Sequence, residues 1–577
     1  MWERSWRDDL WSRVERDWDI IIIGGGITGA GILREAARAG LHALLVEQRD
    51  FAWGTSSRSS KLVHGGLRYL ASGQVRMTWA SVRERDQLLD CAPGLVEPLG
   101  FLMVTARGSK PGSLTYSAGL SLYDLMAGQW THRRYRPEEL QMLAPQVRRE
   151  GLSGGFGYGD AQTDDARLVL RLLQEAVADG GCALNYARAD SLIIEDGQAR
   201  GIRLNDLEGN RAADVRARVV INATGAWADH LRQQVNAPAC IRPLRGSHLI
   251  LPGWRLPVAQ AVAFSHPFDK RPVFVLPWEG VTLVGTTDLD HNQPLNAEPR
   301  ISPGEVAYLM AAVAHQFPAS AITLDDIIAT FAGVRPVIGT GKDDPSQESR
   351  EHVIWHESSL ITVTGGKLTT FRATALQTLR EVCRQFPELA LPDEHTTALT
   401  PALPAIQGAE YLGEAVCRRL LGRYGADTPA LIAVAHPGEL EPIPGTHTLW
   451  AELRWAARAE AVCHLDDLML RRVRLGLLLP EGGAAVLARV RAICQSELGW
   501  DDTRWEKEAA AYRTLWREHY SLPAAALIPD WNTMLRDTIQ SRPAPNRPVQ
   551  VWWLGLVAAL VLLALLVKQR AHTQRTD

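Results

Sequence analysis

A mixed α/β fold, α+β overall, is what this sequence predicts, and three observations predict it. A short apolar strand, Asp19 to Ile23, runs into a glycine turn, a helical stretch and a second strand ending on an acid, the opening of a parallel βαβ unit. Between Ile241 and Gly285, short β-rich pieces such as Ser247 to Leu251 and Val273 to Leu276 alternate with Pro and Gly, the texture of an antiparallel sheet. From about Thr400 the pattern turns to long helical periodicities such as Leu449 to Leu479.

The opening unit is the most informative. Its turn reads Gly24-Gly25-Gly26-Ile27-Thr28-Gly29, followed by the helical stretch Ala30 to Ala39 and the strand His42 to Val46, which ends at Glu47. Gly24 permits the tight bend, Gly26 lets the backbone approach a pyrophosphate, and Gly29 lets the helix pack closely on the strand. The helix start, with Thr28 in its first turn, offers N–H groups and a partial positive charge to phosphate. Glu47 is placed to accept from an adenosine ribose and argues against a 2′-phosphate. The unit is therefore a Rossmann-like dinucleotide domain. A second small-residue turn, Ala223-Thr224-Gly225, follows the strand at Val219 to Asn222 and brings the backbone close to the cofactor again. Many FAD enzymes carry such a turn and a simple nicotinamide dehydrogenase does not need it, so FAD is the expected cofactor.

A chain of 577 residues exceeds one hydrophobic core. The apolar runs at 218–222, 282–285 and 360–363 are separated by long stretches of mixed character, so the domains interleave. The reading assigns 19–90, 151–240 and 326–395 to the FAD-binding domain, 91–150 and 241–325 to a substrate domain, and 400–525 to a helical C-terminal domain. Residues 1–18 form a Trp-rich extension holding Trp2, Trp6, Trp11 and Trp18, for which an amphipathic helix on a membrane surface is one reading. A net charge of -3 gives no electrostatic basis for nucleic acid. Seven singly scattered cysteines show neither zinc spacing nor a disulfide framework, and no His-Cys-carboxylate cluster suggests a metal.

Residues 541–550, rich in Pro and Arg, read as a linker to 551–567, an apolar run without a charged residue. As a helix that run would reach roughly 25 Å, near the lower limit for a hydrocarbon core of about 30 Å. Trp552 and Trp553 suit the interface. Attachment to the lipid bilayer through 551–567 is expected, with spanning or shallow insertion left open. The catalytic body is then expected on the cytoplasmic face of the inner membrane. Oligomeric state is open, a homodimer included.

The run Thr55-Ser56-Ser57-Arg58-Ser59-Ser60-Lys61-Leu62-Val63-His64-Gly65-Gly66-Leu67-Arg68-Tyr69-Leu70 closely resembles the signature of the FAD-dependent glycerol-3-phosphate dehydrogenases. Gly246-Ser247-His248, Gly333-Val334-Arg335-Pro336, the Asp164 to Leu170 segment, Gly285 to Asp288 and Gly365 to Arg372 agree with that family. The resemblance implies a phosphorylated polyol substrate, sn-glycerol 3-phosphate, and delivery of electrons to a membrane quinone. Rival readings are an oxidase that reduces oxygen and an amine or amino-acid oxidising flavoprotein of the same superfamily.

Flavin oxidation of a secondary alcohol needs a positioned carbon, a base for the hydroxyl proton, and compensation for negative charge on the reduced ring. Arg68 and Arg335 are the expected phosphate ligands, because guanidinium pairs two oxygens at once. Tyr69 adds a hydroxyl donor or packs in the core. His64 and His248 are candidate bases, with Arg335 or a bound water as rivals. Lys367, after Gly365 and Gly366 at the start of an expected helix Leu368 to Leu379, either offsets flavin charge or contacts phosphate. Asp288 orients a polar neighbour. Cofactor contacts are expected from Gly24, Gly26, Thr28, Gly29, Glu47, Thr55, Ser56, Ser60, Lys61, Leu62, His64, Ala223, Thr224, Gly225, Gly366, Lys367, Leu368 and Thr369.

Overall fold

The computed structural model describes residues 2–540 except 3–4, 72–73, 109–111, 342–347, 349–350, 391–392, 402–405 and 407–408. The linker 541–550 and the apolar segment 551–567 lie outside the described residues. Among the described residues no helix is long and apolar enough to cross a membrane.

Two sheets organise the chain. The parallel core of the first runs in the order Leu360–Thr364, Ala212–Asn222, Trp18–Ile23, Ala43–Val46 and Cys182–Leu184. Val353–Glu357 adds an antiparallel edge, and the early part of Ala212–Asn222 pairs with Gln198–Asp206, which pairs in turn with Ala187–Glu195. The central strands are continuous apolar runs because both faces are covered. Ile20 and Ile22 pack under Ile27–Arg38, Asp165–Ala178 and Phe371–Gln385, whereas Ile21 and Ile23 face the opposite side.

The Trp-rich extension covers that opposite side. Trp6–Trp11 is a short helix, and Leu10, Trp11, Val14 and Trp18 are buried with Ile21, Leu44 and Val220. The membrane-surface reading of this helix is corrected, since its apolar side chains are spent on the protein's own sheet.

The second sheet is antiparallel but for one pair, Ala261–Ser265 beside Val96–Ala106. Ile241–Pro252 pairs with Val281–Gly285 on one side and with Ala329–Ile338 on the other. Leu152–Thr163 and Ala329–Ile338, in stretches expected for the FAD-binding domain, are strands of this sheet. Leu152–Thr163 reads poorly as a strand because it is rich in glycine, yet the fold needs them. A Cβ on Gly155 would stand 2.3 Å from Leu140 Cδ1, and one on Gly157 2.8 Å from Tyr135 Cε2. Pro303–Gln316 covers one face of the sheet and the helical C-terminal region covers the other.

In that region the periodicity of Leu449 to Leu479 is not one helix. Trp450–Ala459 stops before Ala461 (φ 52°), Asp467–Arg472 is a π-helical turn, and Arg474 (φ 61°) precedes Leu475–Leu478. The breaks deliver arginines to buried carboxylates. Arg472 Nη2 donates to Asp50 Oδ1 at 2.8 Å, and Arg474 Nε to Asp164 Oδ1 at 2.9 Å. Buried pairs of this kind fix the register of packed units more than they add stability.

Candidate active site

A cavity of about 390 Å³ opens at the C-terminal ends of the parallel strands, the place where open α/β sheets take ligands. Its floor is the glycine turn. Gly24 has φ 117°, and a Cβ there would stand 2.5 Å from the carbonyl oxygen of Ala223, so the two small-residue turns meet at this glycine. A Cβ on Gly29 would stand 1.9 Å from the Gly24 oxygen; this glycine packs beneath the turn rather than lining the cavity. The helix Ile27–Arg38 points its N-terminus into the cavity, where Gly26, Ile27 and Thr28 form the wall. Ser56 Oγ accepts from the Ile27 N–H at 2.9 Å, tying the Thr55–Ser57 turn to that helix start.

Glu47 closes the second strand. Its carboxylate accepts from the Gly25 N–H at 2.7 Å and the Arg49 N–H at 2.9 Å. Burial pushes its pKa up and these two N–H groups hold it back. Ala187, Arg188, Ala189 and Asp190 line the same end.

The far end is built by three segments. Gly365 and Gly366 both adopt positive φ, 77° and 78°, and lead through the 3-10 turn Leu368–Thr370 into Phe371–Gln385. Lys367 lines the cavity; its ammonium lies 3.1 Å from Ser81 Oγ and 3.6 Å from the Tyr69 ring centroid. The His64 N–H donates to Thr369 Oγ1 at 3.1 Å, which joins the 62–66 segment to the glycine pair.

Arg335 stands beside the cavity-lining Pro336. Its Nη1 donates to Asp288 Oδ1 at 2.9 Å and its Nη2 to Thr286 Oγ1 at 3.0 Å, so Asp288 pairs with Arg335. Gly246 lies opposite, and a Cβ on it would come 2.3 Å from Arg335 Nη2, so glycine there makes room for the guanidinium. Gly285 does the same for His248, whose Cδ2 would lie 2.1 Å from a Cβ at 285. His248 is buried, stacks on Phe331 with centroids 4.5 Å apart, and places Nε2 2.8 Å from Ser60 Oγ. Burial, with the charges of Arg335 and Lys61 behind it, holds the imidazole well below its ordinary pKa, so the ring is neutral.

The structure thus gathers Gly24, Gly26, Thr28, Glu47, Thr55, Ser56, Ala223, Thr224, Gly225, Gly366, Lys367 and Leu368 around one cavity. Ser60, Leu62, His64 and Thr369 are not among its lining residues. Lys61 is a correction: its ammonium is fully buried and donates to both oxygens of Asp165 at 2.9 Å and to the Ser57 carbonyl at 2.6 Å. Burial lowers its pKa to about 8 against the pull of Asp165, so it serves the frame behind the site rather than the cavity. Arg68 stands in the helix Leu67–Ala71, and its side chain lies outside the described residues. Trp53, Ser59, Arg188, Trp227, Pro336 and Thr364 also line the cavity and were not singled out from sequence. Among the described residues no group of three or more His, Cys, Asp or Glu stands together as a metal site.

A glycine cradle that no side chain can enter, a helix N-terminus, an acid at the second strand end and a second small-residue turn together fit a flavin dinucleotide, and they define an oxidoreductase of the FAD-binding class. Residues 19–375 match the family described as FAD dependent oxidoreductase, and 366–505 match the C-terminal domain of alpha-glycerophosphate oxidase. The chain is 40% identical over 372 residues to the aerobic glycerol-3-phosphate dehydrogenase of Bacillus subtilis (strain 168), a match spanning 63% of this chain and 67% of that protein. It is 33% identical over 487 residues to the enzyme of the same name from Staphylococcus haemolyticus (strain JCSC1435), spanning 79% and 86%. The X-ray structure of the glycerol-3-phosphate dehydrogenase from Bacillus halodurans complexed with FAD superposes with a TM-score of 0.74 at 28% identity, covering 90% of this chain and 98% of that one. The protein belongs to the FAD-dependent glycerol-3-phosphate dehydrogenase family, and its cofactor is FAD.

Proposed function

We propose that the protein oxidises sn-glycerol 3-phosphate to dihydroxyacetone phosphate and that the electrons pass from FAD to a membrane quinone. The observation that carries this reading is Arg335, a guanidinium held by Asp288 and Thr286 next to the cavity-lining Pro336, with the buried, neutral His248 in its field. A bidentate cation of fixed geometry is the natural partner of a phosphate monoester.

FAD, when bound, supplies the acceptor for the hydride that leaves the carbinol carbon. Gly24, Gly26, Thr28, Glu47, Thr55, Ser56, Ala223, Thr224, Gly225, Gly366 and Leu368 hold it. Arg335, together with Arg68, grips the substrate phosphate and so fixes which carbon faces the cofactor. His248 takes the hydroxyl proton on a ring nitrogen as the C–O bond becomes C=O, and Ser60 Oγ fixes the ring plane. Burial disfavours the imidazolium, so the proton is held briefly and is released to solvent water. His64 is the rival base. Lys367 places positive charge where the reduced cofactor gains negative charge. The apolar segment 551–567 anchors the chain to the bilayer, which favours a quinone as acceptor, with the catalytic body on the cytoplasmic face of the inner membrane.

The test is steady-state oxidation with a soluble quinone analogue in detergent. Glycerol 3-phosphate is expected to be turned over without peroxide, and glycerol and amino acids are not. Stoichiometric peroxide in air would move the reading to an oxidase, and turnover of an amino acid alone would refute the substrate.

A further inference from the structure

Trp2, Trp6, Trp11 and Trp18 lie outside residues 19–375, the stretch matched by the oxidoreductase family. They divide between the two faces of the sheet. Trp11 and Trp18 are buried on the face that carries Ile21 and Ile23. Trp2 is buried on the other face, the one that carries the cofactor helix, with Ile20, Ile22 and Phe51. Its indole N–H donates to the Ala183 carbonyl at 3.4 Å, and its backbone forms a parallel bridge to Glu460 of the helical region. Arg7 secures the next turn of chain, donating from Nη1 to the Asn185 carbonyl at 2.7 Å and from Nη2 to the Asp206 carboxylate. Trp2 therefore stands where the nucleotide sheet, the loop after Glu47 and the helical region meet.

Phe51 links that junction to the cofactor site. Its ring centroid is 5.3 Å from that of Trp2, tilted by 31°, and the side chain is fully buried. A Cβ on Gly25 would stand 3.0 Å from Phe51 Cδ1, so the ring fills the space beside the central glycine of the turn. The adjoining peptide completes the tie. The Ala52 N–H donates to the Gly25 carbonyl at 2.9 Å, while the Gly25 N–H donates to Glu47 Oε2 at 2.7 Å. Both polar groups of Gly25 are thus engaged by the 47–52 segment; Arg471 and Arg472 hold that segment at Asp50, and Trp2 packs on it at Phe51.

We propose that Trp2 is a positioning residue for FAD: by holding Phe51 against Gly25 it keeps the Gly24–Gly26 turn and Glu47 in the conformation that receives the pyrophosphate and the ribose. The indole does not line the cavity. Its effect travels through one aromatic contact, the Ala52–Gly25 backbone hydrogen bond and the hydrogen bond from the Gly25 N–H to the Glu47 carboxylate.

The experiment measures FAD release from the full-length holoenzyme, followed by the recovery of flavin fluorescence on dilution, beside the thermal midpoint of each variant. Trp2→Ala is expected to raise the FAD dissociation constant about tenfold, the scale of one lost buried aromatic pair. The substrate KM of FAD-saturated enzyme stays put, and Trp2→Phe restores most of the retention. Trp11→Ala, which removes an indole buried on the opposite face, lowers the thermal midpoint but leaves FAD release unchanged. Trp2→Leu supplies the same comparison if the alanine variant does not fold. Wild-type FAD release in Trp2→Ala or Trp2→Leu would overturn the proposal, and so would equal acceleration by Trp11→Ala. Because FAD release is read without substrate, failure here is separate from failure of the glycerol 3-phosphate reading.

Discussion

Replacing Arg335 by alanine separates substrate binding from cofactor binding, and the structure sets the size of each effect. The arginine side chain is 22% exposed and its partner Asp288 is 9% exposed. Losing a pair this close to solvent costs about 1–2 kcal/mol of stability, because water reaches the carboxylate left behind. Losing one half of a charge-assisted pair to a phosphate costs about 2–5 kcal/mol of binding, or roughly 30-fold or more in KM. The backbone has no reason to move, since Gly246 opposite carries no side chain to collapse inward. The assay is dye-linked oxidation of glycerol 3-phosphate beside the flavin-to-protein ratio of the purified variant. KM is expected to rise at least 30-fold with FAD content unchanged. Arg335→Lys recovers only part of it, because an ammonium lacks the planar fork. An unchanged KM, or loss of FAD, would refute the assignment of Arg335 to the substrate.

Three further expectations follow from the same geometry. Gly29→Ala should yield protein without FAD, because the new methyl would stand 1.9 Å from the Gly24 carbonyl, whereas Gly304→Ala, with open space around it, should keep full flavin content. Burial works against protonated His464, but Glu208 at 2.8 Å and Glu508 at 3.2 Å raise its pKa to about 10. Its stabilisation is therefore complete below the ordinary histidine pKa and is lost as pH rises through about 10. His464→Gln should lower the thermal midpoint at pH 7, and a deficit that persists undiminished above pH 10 would contradict the pairing. Truncation after Gln540 should release the enzyme from membranes with dye-linked activity intact, and a truncated enzyme that still sediments with membranes would remove 551–567 as the anchor.

The sequence made the cofactor half of the site legible because its requirements are local. A tight turn, a close backbone approach and a helix start must be adjacent in the chain, so Gly24, Gly26, Thr28 and Glu47 announce themselves together. The cluster of Arg335, Asp288 and His248 is assembled across the second sheet, and its logic appears only with register. Gly246 and Gly285 look like loop residues until the strands pair and each is seen to leave space for Arg335 or His248. Lys61, expected at the cofactor, and Ser59, not singled out, show the reverse. Both sit in the motif-bearing run, but Asp165, more than a hundred residues on, takes the Lys61 ammonium and the Ser59 hydroxyl, leaving Ser59 at the cavity wall and Lys61 behind it. The stretch Leu449 to Leu479 is helical as read, but it breaks where Arg471, Arg472 and Arg474 are buried against Asp50, Asp164 and Asp165, contacts that no helical periodicity announces. The packing of Trp2 was hidden for the same reason, since Phe51 and Ala183 become its neighbours only in the folded sheet.

The most direct measurement is an anaerobic titration of purified holoenzyme with glycerol 3-phosphate, watching the visible flavin absorbance. Stoichiometric bleaching, with dihydroxyacetone phosphate formed in equal amount and none produced from glycerol, is the result this account requires. A flavin that stays oxidised in excess glycerol 3-phosphate would contradict it.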